Sequence, residues 1–147
     1  MEQNVQKIKK VAMELDNALE KKNFNEIKSL FSDDCEIEFL GIKLNGKDGV
    51  EKWLKFIFEY VESFKLEPIV IIVDGPIFVE EFYVDINFRD GSNYHTKWSE
   101  VLIYENYKVK SLRLYFDRLE IIQHAPIGYF NKKILGFIDK KTLKGLK

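Results

Sequence analysis

The chain has 147 residues, 46% of them hydrophobic and 32% charged, so one domain can bury a sizeable core. A net charge of −1 provides no basic field for nucleic acid, and no run of about eighteen uncharged apolar residues offers a membrane span. The single Cys35 excludes an internal disulfide and suits a reducing compartment, and Met1 to Lys10 hold no apolar run of a signal peptide, so the chain reads as cytoplasmic.

Val5, Ile8, Val11, Ala12, Leu15, Ala18 and Leu19 follow a helical spacing, which predicts an amphipathic helix over 3–21. Asn23 with Glu26 resembles a capping box and opens a short helix burying Phe24, Ile27, Leu30 and Phe31. Ser32-Asp33-Asp34 is expected to break it. Cys35, Ile37 and Phe39 then alternate with Glu36 and Glu38 as a first strand. Residues 41–49 form a loop with room for a small strand at Gly41–Leu44. A third helix is predicted over 48–62, burying Val50, Trp53, Leu54 and Ile57, followed by a strand at Glu67–Val73 that turns at Asp74-Gly75-Pro76.

Three strands follow, at Ile77–Arg89, Asn93–Glu105 and Lys108–Asp117, joined by the turns Asp90-Gly91-Ser92 and Asn106-Tyr107. Phe82, Val84, Ile86 and Phe88 alternate with polar neighbours, as a half-buried strand does. Trp98, Glu100 and Leu102 repeat that spacing on the second strand, and Leu112, Leu114 and Phe116 on the third. Paired antiparallel, the three sets share one face. Glu100 then stands among aliphatic and aromatic side chains. Tyr83, His95, Val101, Ile103, Val109 and Tyr115 are expected on the opposite face. Leu119, Ile121 and Ile122 suggest a short helix ending at Ala125-Pro126, and the lysine-rich segment to 147 suggests a final amphipathic helix. The domain is read as 1–125 and the basic extension as 126–147. Residues 118–147 carry seven Lys/Arg against two Asp/Glu. Helices segregated from a run of antiparallel strands define an α+β class.

The helix 3–21, Asn23-Phe24-Asn25-Glu26-Ile27, Leu30-Phe31-Ser32-Asp33-Asp34-Cys35, the turn into Asn45-Gly46-Lys47, Asp74-Gly75 and Ser111-Leu112-Arg113-Leu114-Tyr115-Phe116-Asp117 together resemble the nuclear-transport-factor-like superfamily, in particular its SnoaL-like and ketosteroid-isomerase-like branches. The resemblance covers residues 3–120. It implies a curved antiparallel sheet and N-terminal helices forming a cone, a hydrophobic cavity at the open end, and a homodimer through the outer sheet face. Phe39, Trp53 and Phe56 join the meander face as expected cavity lining. Of the isomerase's three catalytic positions, the general base falls on Phe39 and the oxyanion-hole Tyr on Leu15. The second oxyanion-hole acid, which apolar surroundings keep protonated, falls on Glu100. The closing strand also resembles that of limonene-epoxide hydrolases, but their Asp-Arg-Asp set falls on Glu81, Tyr83 and Leu114. Neither mechanism transfers intact.

Glu100 is therefore the leading candidate. Burial in an apolar cavity raises a carboxyl's pKa and lets it donate a hydrogen bond or a proton near neutral pH. The plainer alternative pairs it with Lys97 or Arg113. Tyr115 and Asp117, at the end of the last strand, stand where the family places rim residues, though a strand-end Asp equally caps the next turn. No metal or cofactor is expected. Asp33, Asp34, Glu36 and Glu38 lack a histidine nearby, and Gly41, Gly46 and Gly49 make no phosphate-binding fingerprint. Cys35 reads as a small buried hydrophobe. Three functions stay open. One is binding of a small apolar or polycyclic molecule. The second is an isomerase, cyclase or hydrolase using Glu100, and the third a dimeric interaction module presenting 126–147.

Overall fold

A computed structural model describes residues 4–146. Helix α1 (Val5–Glu20) begins at Asn4, whose side chain accepts from the Lys7 N–H at 3.1 Å. Helix α2 (Phe24–Leu30) begins at Asn23. Asn23 Oδ1 accepts from the Glu26 N–H at 3.3 Å and its side-chain Nδ2 donates to the Glu26 carboxylate at 2.7 Å, whereas the Asn23 backbone N–H goes to the Ala18 carbonyl at 2.9 Å, so one half of the suggested capping box forms. Strands β1 (Phe31–Phe39) and β2 (Ile42–Asn45), helix α3 (Gly46–Tyr60), strands β3 (Val61–Asp74), β4 (Ile77–Phe88), β5 (Asn93–Glu105) and β6 (Lys108–Tyr115), and helices α4 (Arg118–His124) and α5 (Tyr129–Thr142) complete the order.

The six strands form one sheet in the order β2-β1-β6-β5-β4-β3, with β1 parallel to β6 and the other neighbours antiparallel. The fold is α+β. Helices α1, α2 and α3 supply Ile8, Leu15, Ile27, Val50 and Leu54 to the main core, against Ile37, Phe78, Leu102 and Leu112 of the sheet. A second core surrounds Phe82, Val84, Ile86 and Phe88. The two cores meet at Phe64 and Leu114, which pack against both.

Several boundaries differ from the sequence reading. Helix α2 ends ahead of Ser32-Asp33-Asp34 as expected, but β1 already starts at Phe31 and takes these residues in before Cys35, and Lys110 holds Asp34 in an ion pair across to β6. Strand β3 starts at Val61 where helix was expected and runs 14 residues. Pro68 fits because β3 is an edge strand with a register shift between Pro68 and Val70. Val109, expected on the outer face, is fully buried. A register shift after Ile103, with Lys110 as the extra residue on β6, sets Val109 opposite the inward Tyr104 and turns Val109 inward. The Asn106-Tyr107 turn has φ of 51° and 59°, the doubly left-handed form that matches strand twist.

Gly49 lets α3 lie directly on β2. A Cβ there would fall 2.8 Å from the Leu44 carbonyl carbon, so the helix, which carries Trp53 to the cavity, is set by that contact. Lys47 anchors the same turn by donating to the Lys28 carbonyl at 2.5 Å and to the Phe31 carbonyl. No helix among the described residues is long and apolar enough to cross a membrane.

Candidate functional site

The inner face of the sheet carries two acids side by side. Glu80 of β4 and Glu100 of β5 are directly opposed register partners, 2% and 7% exposed. Opposed like charges destabilise a ladder, so the pair must stay largely uncharged or meet compensation from elsewhere. Helix α1 adds a third acid instead of a base. Asp16 lies at the border of the stripe made by Ala12, Leu15 and Leu19. One carboxylate oxygen from each of Asp16, Glu80 and Glu100 lies within 4.8 Å of the other two.

Proton loading follows from that geometry, because burial and mutual repulsion both disfavour the charged forms. Burial, then Glu80 and Glu20, pushes Asp16 up to about 8. Burial alone pushes Glu80 up to about 7. Glu100 is raised well above the usual range by burial, Asp16 and Glu80. The same surroundings raise the Tyr104 hydroxyl, through burial first and then Glu100, Asp16 and Glu80. Near neutral pH the cluster is thus a set of carboxyls sharing protons, able both to donate and to accept.

Asp16 and Glu100 open onto an inner cavity walled by Leu19, Trp53, Ile57, Phe64, Phe82 and Leu114, with no Lys, Arg or His among its lining residues. Beyond it lies an outer groove bounded by Phe39, Phe56, Phe88 and Phe116, and crossed by Ile121 and Ile122 of α4. Ile57, Val61, Ile86 and Trp98 border both spaces. Trp98 stacks on Phe116 at 4.7 Å and meets Phe82 edge-on at 6.4 Å, so it forms the partition between them.

The expected site residues divide accordingly. Trp53, Phe82, Ile86, Trp98 and Leu114 line the inner cavity with Glu100, while Phe39, Phe56 and Phe116 line the outer groove. Val84, Leu102 and Leu112 do not line either space; they are almost wholly enclosed in core packing. Tyr115 is half exposed on the outer face, and Asp117 caps α4 by accepting from the Glu120 N–H at 3.1 Å, so neither joins Glu100. Lys97 pairs with Glu81 at 3.7 Å, and among the described residues no ion pair reaches Glu100. His95 bonds Asp85 at 2.5 Å and stacks on Tyr83, away from the cavity. The three clustered oxygens are the one set among the described residues with a spacing that a metal ion could use.

Asp16 and Glu80 were not singled out from the sequence. Glu80 had a usable signal, since it shares parity with Phe78, Phe82 and Val84 in an otherwise apolar run. Asp16 had only its position beside the apolar stripe.

No protein-family model matches the sequence, and no curated protein does either. Among solved structures, a nuclear-transport-factor-2-like protein of unknown function from Burkholderia pseudomallei superposes with a TM-score of 0.74 at 17% identity, covering 82% of this chain and 98% of its own. A putative polyketide cyclase from Xanthomonas campestris gives 0.76 at 13%, covering 83% and 98%. An epoxide hydrolase from M. tuberculosis that is similar to limonene-epoxide hydrolase gives 0.68 at 18%, covering 81% and 89%. The class defined is the nuclear-transport-factor-like fold, with SnoaL-like and ketosteroid-isomerase-like neighbours.

Proposed function

We propose that the chain binds a small, largely apolar molecule in the inner cavity and outer groove, with the polar end of that molecule at Asp16 and Glu100. The observation that carries this is the meeting of two proton-sharing carboxyls with aromatic walls in one concavity, the usual make-up of a small-ligand site. A few polar groups at the base fix orientation, and the rings supply contact area. The ligand's body would lie past Trp98 towards Phe116 and α4.

A second reading is supported by the same cluster. Carboxyls raised to about 7 and about 8, beside a Glu100 that burial also lifts well above the usual range, are proton-holding groups near neutral pH of the kind general acid–base chemistry uses, as in an isomerase, cyclase or hydrolase. Here Glu100 would give the proton and Glu80 or Asp16 would take one. The neighbouring folds named as a putative cyclase and an epoxide hydrolase are consistent with it. A homodimer through the outer face is supported by its exposed Tyr83, Tyr115 and Ile77, and a separate role for 126–147 by the exposed Phe130, Ile134 and Phe137 of α5. A buried free thiol at Cys35 supports a reducing, cytoplasmic setting.

Titration with 2-naphthol, a neutral bicyclic probe, followed through tryptophan fluorescence, tests the binding reading. Saturation at one equivalent per chain is expected, with loss of binding in Leu114→Arg at unchanged circular dichroism. Absence of saturation, or identical binding by Leu114→Arg, would contradict it.

A further inference from the structure

Asp16 and Glu100 open onto an inner cavity whose lining offers no basic side chain, and Glu80 stands beside them, so the cluster gathers acids from three separate elements, α1, β4 and β5. A cavity built for a carbonyl oxygen needs one or two donors. Three acceptor-capable carboxyls converging on one point suit a positively charged donor. A primary ammonium has three N–H groups, and donation at about 2.8 Å along tetrahedral directions places its acceptors about 4.6 Å apart. The three oxygens here lie within 4.8 Å of one another. Independently of the cluster's charge, Glu80 Oε1 has no hydrogen-bond partner among the described residues although Glu80 is 98% buried, and its carboxylate points into the group. The walls fit the same ligand. Trp53, Phe64, Phe82 and Trp98 line the cavity, and aromatic rings attract cations in desolvated sites.

Resting on the binding function proposed above, we infer that the ligand is an amine with an apolar body, its ammonium held by Asp16, Glu80 and Glu100 and its body passing Trp98 into the outer groove. A divalent metal ion fits less well. It would keep water or further oxygen ligands, and the rest of the inner lining, Trp98 and the other indole and phenyl groups with Leu19, Ile57 and Leu114, offers it no oxygen.

Proton balance follows directly. The ammonium keeps its own proton, while the carboxyls it contacts ionise and release O–H protons to the solvent. The titratable groups facing the cluster are Glu20 on α1 and Tyr104 on β5; α3, β3 and β6 contribute Trp53, Phe64 and Leu114, which do not titrate. Release is therefore a property of the acids themselves.

The test pairs 2-phenylethylammonium with its neutral isostere propylbenzene, by calorimetry at pH 7.5 in phosphate and in Tris. The ammonium should bind at least about tenfold more tightly, since hydrogen bonds to charged groups contribute more than neutral contacts. Its apparent heat should differ between buffers through proton release, and propylbenzene's should not. Asp16→Asn combined with Glu100→Gln should abolish the preference while propylbenzene still binds, which shows that the variant is folded and its cavity intact. Equal affinity of the two probes in the native protein overturns the amine inference and leaves the apolar-ligand function standing. Failure of both probes to bind overturns both. Manganese alone binding at one equivalent and displacing the ammonium also overturns it, in favour of a metal site.

Discussion

Stability falls by about 3 kcal/mol between pH 5 and pH 8.5, and the Asp16→Asn/Glu80→Gln double variant, which removes the two acids that titrate in that interval, loses much of that slope. Asp16 and Glu80 have folded-state pKa values of about 8 and about 7, raised from 3.8 and 4.5. Over that interval the native state holds protons that the unfolded chain has already released, so stability declines as pH rises. The penalty begins near pH 4 and is complete once pH passes the folded values. Each tenfold difference in proton affinity between the folded and unfolded states corresponds to about 1.4 kcal/mol. Mutual coupling and partial solvent access at Asp16 reduce the sum to the figure given. Groups of opposite sign act elsewhere. Asp34, held low by Lys110, and Asp90, held low by Ser92, withdraw stability only as pH falls through the acid range. The optimum therefore lies near pH 5. Urea unfolding at half-unit pH steps, followed by tryptophan fluorescence, measures it. Stability that is flat or rising from pH 5 to 8.5 would contradict the cluster's proton loading.

Trp98→Ala has two large effects that separate structure from site. Removing the indole deletes the stack on Phe116 and the edge contact with Phe82, and a large aromatic truncation with packing on two sides costs about 3 kcal/mol. It also merges the inner cavity with the outer groove, because Trp98 borders both. The variant should be less stable in urea, yet bind a three-ring aromatic probe more tightly than the native protein does. A variant of lowered stability that still excludes the larger probe would mean that Trp98 is core and not partition.

The legible parts of the sequence were those where one local rule governs. Phe82, Val84, Ile86 and Phe88 alternate without interruption, and α1 keeps a helical stripe, so element type and inward face follow from spacing alone. Glu100 was recognisable by the same rule, as an acid at an inward parity. Where tertiary pairing overrides local preference, the sequence misleads. Ser32-Asp33-Asp34 carries turn chemistry yet lies within β1, in the irregular stretch between the β6 pairings of Phe31 and Glu36 where Lys110 holds Asp34, and Val61 to Leu66 extend β3 because β4 offers a ladder over the whole length. Val109 turns inward through one irregular step in the β5–β6 register, which no periodicity reveals. The cluster was only one-third visible for a related reason. Asp16 and Glu80 come within reach of Glu100 through a helix crossing and a strand register separated by tens of residues in the chain. The cavity lining was overdrawn at Val84, Leu102 and Leu112, since parity identifies the inner face but not where along it packing closes.

Both the binding and the acid–base readings require buried acids that hold protons at neutral pH inside an apolar cavity. Carbon-13 NMR of the Asp and Glu carboxyl groups, followed from pH 3 to pH 10, tests this most directly. The expected result is that Glu80 and Asp16 titrate near 7 and 8 and Glu100 above the ordinary carboxylate range, while Glu51, held down to about 2 by Lys55 and Lys28, stays ionised across the range. Titration of all three clustered acids near pH 4, with the bulk of the surface carboxyls, would contradict it.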